Sequence, residues 1–139
     1  MFINEENGVR GGEKYAELAA QNGERHIAAI ESDAGGFSPR AFGVTGSAKV
    51  VDTMRSWLPL FDQNTISFIR NGGGGVDISP LNRKFGVPAI GLVVDSQRYF
   101  DVHHSHRDTF DAVNRRELQL GTASLAALIY LIDKYGWGE

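Results

Sequence analysis

The apolar positions of this chain come in short blocks that alternate between continuous runs and helical spacing. Met1-Phe-Ile-Asn4 reads as the end of an apolar strand and runs into Glu5-Glu-Asn-Gly8, where Asn7-Gly8 signals a turn. Tyr15, Leu18 and Ala19 recur at helical steps and predict a helix over residues 13–21. It is entered from Gly11-Gly12 and closed by Asn22-Gly23, two residues that tolerate the left-handed conformation. Residues 26–30 are a short apolar run suited to a buried strand, ending on the acidic stretch Glu31-Ser-Asp-Ala-Gly-Gly36. Strand, helix and strand within about 30 residues make a parallel crossover unit.

Residues 37–45 interrupt the pattern with Pro39 and Gly43 and are expected to wander across the edge of a sheet. Ser47 is placed to cap a helix over 48–58, with Val50, Val51, Met54, Trp57 and Leu58 on its inner side, and Pro59 stops or bends it. Ile66, Phe68 and Ile69 predict another short strand. Asn71 and four consecutive glycines form a loop ahead of Val76-Asp-Ile-Ser-Pro-Leu81. Residues 87–94 carry the strongest strand signal, apolar enough to be buried on both faces. A strand-like lead, Tyr99, Phe100 and Val102, then delivers histidines at 103, 104 and 106. Leu118, Thr122, Leu125, Ile129 and Ile132 repeat at steps of three or four, which predicts the longest helix over 117–135, with Gly136 at its end.

This order predicts one α/β domain over residues 1–139, a mostly parallel sheet flanked by helices. In such sheets ligand-binding groups gather beyond the carboxyl ends of the strands. Glu5 with Glu6, Asp33, and the cluster from His103 to Asp108 all fall at predicted strand ends.

Composition narrows the chemistry. A formal charge of −3 and a pI near 5.8 give no pull toward nucleic acid or an anionic membrane. No run of about 18 apolar residues is present to span a membrane. With no cysteine, a bound metal has to be held by His, Asp and Glu, which suits zinc or another borderline-to-hard divalent ion. Each candidate group has a plain alternative. The histidine stretch also fits a polar surface loop, Glu5-Glu6 a solvated acidic turn, and Asp33 a loop-capping carboxylate. The glycine run could cradle a phosphate, although no Gly-Lys-Ser/Thr follows to make a P-loop.

Four motifs in register change the picture. Asn4-Glu-Glu-Asn-Gly8, Glu31-Ser-Asp-Ala-Gly35, Gly73-Gly-Gly-Val-Asp-Ile-Ser-Pro-Leu81 and His104-Ser-His-Arg-Asp-Thr109 together resemble the co-catalytic dinuclear zinc exopeptidases. These are the aminopeptidases and the plasma glutamate carboxypeptidase (carboxypeptidase Q) branch, to which the last two motifs point. The resemblance covers essentially the whole chain. It implies a zinc-exopeptidase-like fold and hydrolysis of a peptide or dipeptide substrate by a water activated between two zinc ions. By position it implies Glu5 as general base, Glu6 and His104 as ligands of one zinc, and Asp33 as ligand of the other. Asp108 would support the ligand histidine, and Gly74, Gly75 and Asp77 would lie near the substrate, while His103 and His106 match no ligand position. A secreted or periplasmic location is implied as well.

The family also takes a histidine and a bridging aspartate from a segment upstream of the Glu-Glu motif, and only four residues precede that motif here. The expectation is therefore the C-terminal portion of a larger peptidase, inactive and poor at holding zinc by itself, with an exposed edge or apolar face that favours self-association. The competing expectation is a non-catalytic remnant that serves as an interaction or metal-binding module.

Overall fold

The computed structural model describes residues 4–138, with 62–64 as backbone only. At its centre is a four-stranded sheet in the order β1–β4–β2–β3, with β1 at Ala29–Glu31, β2 at Pro39–Thr45, β3 at Phe68–Asn71 and β4 at Ala89–Val94. β1 is parallel to β4 and β3 parallel to β2, while β2 and β4 are antiparallel. Two of these three pairings are parallel, so the domain is α/β with a mostly parallel sheet. The strand expected at residues 1–4 lies outside the described residues except for Asn4, which has a φ of 61°.

Helices cover both faces. α1 (Arg10–Gln21) and α3 (Ser79–Phe85) lie on one, and α2 (Ala48–Ser56), a 3-10 turn (Leu58–Asn64) and α5 (Arg115–Tyr135) on the other. The larger core packs Phe42, Val44, Ile69, Ile90, Leu92 and Val94 of the sheet against Met54, Phe61, Leu128 and Leu131. A smaller cluster joins Ala16 of α1 and Leu81 of α3 to Ala29 and Ala89. Ser47 caps α2 by accepting from the Val50 amide at 3.3 Å. Asn114 caps α5 through bonds from the Arg116 and Glu117 amides, which starts that helix two residues earlier than its apolar spacing predicts.

Two expectations need correction. Residues 37–45 do not skirt the edge: β2 lies between β4 and β3 in the interior of the sheet. Pro39, a breaker inside a strand, is its first residue, and Gly43 faces Gly91 of β4 in register. The strand-like lead to the histidines is instead a single helical turn, α4 (Tyr99–Val102). Its amides are satisfied locally, with Tyr99 bonded to Ser96, Asp101 to Arg98 and His103 to Tyr99.

Candidate functional site

Parallel neighbours finish on the same rim, so the carboxyl ends of β1 and β4 open side by side, and antiparallel β2 begins there. Asp33 lies two residues beyond β1, the α4 segment follows β4, and Phe37 precedes β2. Together they line a cavity of about 200 Å³ whose walls include Glu6, Asp33, Tyr99, His103, His104 and Asp108.

The Glu5-Glu6 turn reaches this rim through the start of α1. The amides of Gly8 and Val9 both donate to the Glu5 carbonyl at 3.1 Å, and Val9 takes a left-handed φ of 56°. At Gly12 the helix rests directly on the Asp77 carbonyl, where any Cβ would collide. An ion pair between Glu13 and Arg83 ties α1 to α3. Glu6 Oε1 then lies 3.0 Å from His104 Nε2.

Behind this pair stands a group of carboxylates. Glu31 accepts from the Val76 amide at 3.3 Å and the Ile78 amide at 3.2 Å, which holds Asp77 between them. One Asp77 oxygen, Oδ1, is buried without a hydrogen-bond partner among the described residues. Desolvation raises the pKa of Glu5 above its ordinary value, and the charges of Glu6, Asp77 and Asp33 raise it further, while His104 pulls it down. Desolvation likewise raises Glu31, with Asp33 and Asp77 adding to it against the two backbone bonds. A carboxylate cluster of this kind favours a bound proton or a cation.

The structure thus brings Glu6, Asp33 and His104 to one cavity and sets Glu5 and Asp77 within electrostatic reach. Other expected residues fare differently. Asp108 lines the cavity, but only its backbone amide is bonded, to the Ser105 carbonyl, and its carboxylate has no hydrogen bond among the described residues. Gly74 packs on the Ala89 carbonyl and Gly75 on the Glu31 carboxylate, so both glycines fit the loop closely to the sheet. Alternate amides of the loop are committed as well, Gly72 to the Val44 carbonyl, Gly74 to Thr45 Oγ1, and Val76 and Ile78 to Glu31. That breaks up the run of successive free amides a phosphate cradle needs. His106 is exposed.

Sequence reasoning missed Glu31 as the anchor of the 76–78 turn, and its place in an acidic stretch beside Asp33 was the only hint. It also missed a clamp on the histidine loop. Arg98 donates to both oxygens of Glu117 at 2.7 Å, and Ser38 Oγ donates to the same carboxylate at 2.8 Å. These bonds hold Glu117 below its usual carboxylate range, with Arg98 the larger cause. Its partners lie 19 and 79 residues away, out of reach of any local pattern.

The donor types at the rim are those zinc accepts, imidazole nitrogen and carboxylate oxygen. Among the described residues, however, no three His, Asp or Glu side chains are grouped closely enough to hold a metal ion. The set fits zinc in kind and falls short in number.

Comparison with known proteins bears on the same residues. The sequence pattern of peptidase family M28 matches residues 1–129. Carboxypeptidase Q of Bos taurus is 31% identical over 132 residues, 95% of this chain and 28% of the bovine protein. The Homo sapiens protein of the same name is 32% identical over the same extent. The crystal structure of a peptidase M28 precursor from Shewanella amazonensis SB2B superposes with a TM-score of 0.84 at 27% identity, over 95% of this chain and 30% of that one. The chain therefore spans under a third of the length of these relatives, and with a match over nearly all its residues it belongs to peptidase family M28.

Proposed function

We propose that this chain carries part of the catalytic centre of a zinc-dependent exopeptidase that acts on peptides or dipeptides. The observation that supports it best is the meeting of Glu6, His104 and Asp33 at one cavity, with Glu5 beside them, in a member of an M28 peptidase family. Glu6 and His104 would hold one zinc and Asp33 another. When bound, zinc supplies a polarised carbonyl and a water acidic enough to lose its proton near neutral pH.

The chain's own residues divide the remaining work. Glu5, its pKa raised, is suited to take a proton from the attacking water and return it to the leaving amine. Glu6, 3.0 Å from the His104 imidazole, is turned to the opposite task of meeting that ring and a metal beside it. Desolvation, together with the negative charges of Glu6, Asp77 and Asp33, keeps the proton affinity of Glu5 up. In the protein as it is produced, Glu5→Gln should lower turnover of an aminoacyl or dipeptide substrate by roughly 100- to 10,000-fold, the usual worth of a general base. Unchanged turnover would remove Glu5 from the reaction.

A second reading, a metal-binding or interaction module without turnover, is favoured by the ligand shortfall. A catalytic zinc keeps three protein ligands and one open position, and the described residues offer one close pair and a separate carboxylate. Calorimetric titration of the 139-residue chain with zinc separates the two. Weak binding and no hydrolysis are expected of the chain alone, and tight binding of two ions with steady turnover would show that it is a complete enzyme.

A further inference from the structure

His103 is used neither by the motif nor by the metal reading, yet it sits at the centre of a column of rings. Tyr99 stacks on it with centroids 4.4 Å apart and planes at 25°, and His104 stacks on its other side at 3.9 Å and 27°. Phe100 meets it edge-on at 5.9 Å. We propose that His103 is a positioning residue: wedged between Tyr99 and His104, it sets the His104 imidazole in the orientation that meets Glu6. The purpose assigned to that orientation rests on the zinc reading above, whereas the positioning itself does not.

Three observations carry it. Adjacent side chains in an extended chain point to opposite sides and cannot stack. Here His103 is extended at φ −50°, ψ 125°, and His104 turns left-handed at φ 50°, which swings its ring back over its neighbour. Histidine is among the few non-glycine residues that visit this region readily. Next, a metal-binding histidine is usually oriented by a hydrogen bond to its second ring nitrogen. Among the described residues His104 has a partner for Nε2 only, Glu6, so no bond at Nδ1 fixes its plane. Finally, the Glu6–His104 pair is 69% and 61% exposed and too wet to hold the geometry by itself.

The column has a fixed base. Arg98, next to Tyr99, is clamped on Glu117 of α5 by two bonds of 2.7 Å and lies over the Phe37 ring at 5.2 Å. The His103 amide donates to the Tyr99 carbonyl at 2.9 Å, which closes the turn beneath the stack. Asp95, at the end of β4, is held by Arg40 at 2.7 Å. Position is thereby passed from the core helix through Arg98, Tyr99 and His103 to the exposed imidazole.

The test uses NMR of the 139-residue chain with labelled histidine and glutamate. His103→Ala should abolish the contact between the His104 ring and the Glu6 side chain and relieve the ring-current shift of His104. His103→Phe, which can stack but cannot bind a metal, should preserve both. A wild-type contact in His103→Ala, or its loss in His103→Phe, would overturn the proposal. Amide signals of β2 and β4 report whether the fold is intact, and Tyr99→Leu, stripping the other side of the wedge, gives a second reading if they move. Zinc ion alone, added to each form, separates the two layers. Zinc that shifts other residues of the wild type and leaves His104 and Glu6 unmoved would sink the zinc reading, with the positioning result still decided by the contact. Where zinc does bind, His103→Ala should weaken it by roughly 10- to 100-fold, as loss of an orienting partner does. If His103→Phe is weakened as much, His103 is a ligand and the positioning role is wrong.

Discussion

The two faces of the central sheet come from the same strands and are built to opposite specifications. One face turns Phe42, Val44, Ile69, Ile90, Leu92 and Val94 toward α2 and α5 and closes into a dry core. The other, in the register row Glu31–Gly91–Gly43–Arg70, has two glycines at its middle. There the carbonyl of Gly73 lies 2.5 Å from where a Cβ of Gly43 would be and 2.6 Å from one on Gly91. Large side chains exclude water and stabilise the domain, while their absence on the far face lets a backbone segment cross directly on the sheet. That crossing brings Val76 and Ile78 to Glu31 and Asp77 within reach of Glu5. One face supplies stability, and the other supplies the placement of charge at the rim.

The contrast can be broken most severely from the core side. Phe42 is fully buried and touches Phe61 edge-on at 5.6 Å. Phe42→Ala should cost about 3–5 kcal/mol, as large-to-small changes of aromatic core residues do. Denaturant unfolding measures it, and a loss under about 1 kcal/mol would mean that this face is not where stability resides.

On the glycine face the expected damage is smaller and differently distributed. Gly91→Ala forces the Gly73 carbonyl away and should cost about 1–3 kcal/mol, the range for overpacking. Its distinctive sign is local: the Val76 and Ile78 amides should lose protection from hydrogen exchange, while those of β2 and β4 keep theirs. Uniform loss of protection would show that the crossing loop is part of the general core.

The smallest effect sharpens the electrostatic half of the comparison. Glu31 has a raised pKa in the fold, so its contribution is present in full below the ordinary glutamate value and is lost as pH rises through the raised one. Thermal midpoints of wild type and Glu31→Gln should therefore diverge with pH across that window, the wild type falling relative to the variant as pH rises. A constant offset, whatever its sign, would show that Glu31 titrates normally and acts only through its two backbone bonds.

Much of this was legible from the linear pattern. The step of three or four from Leu118 to Ile132 marks α5, and the apolar run at 87–94 marks β4, because long periodic or continuously apolar segments have few alternatives. The motifs around Glu5, Asp33 and His104 pointed to one rim, since the parallel arrangement of β1 and β4 obliges their carboxyl ends to share it. The absence of cysteine limited any metal to imidazole and carboxylate donors.

Other features were decided only in three dimensions. Pro39 and Gly43 look like breakers in the linear text, and they sit inside the sheet because Pro39 begins β2 and Gly43 underlies a loop that arrives from 30 residues further on. Tyr99, Phe100 and Val102 read as a strand-like lead, yet the amides here close a helical turn whose position is set by Glu117 on another element. The meeting of Glu6 with His104 and the burden of charge on Glu5 join residues from distant parts of the chain, and the stack on His103, though local, depends on the left-handed turn at His104. Local pattern reports which side of a segment is buried; which distant side chain waits there is a matter of how the segments pack.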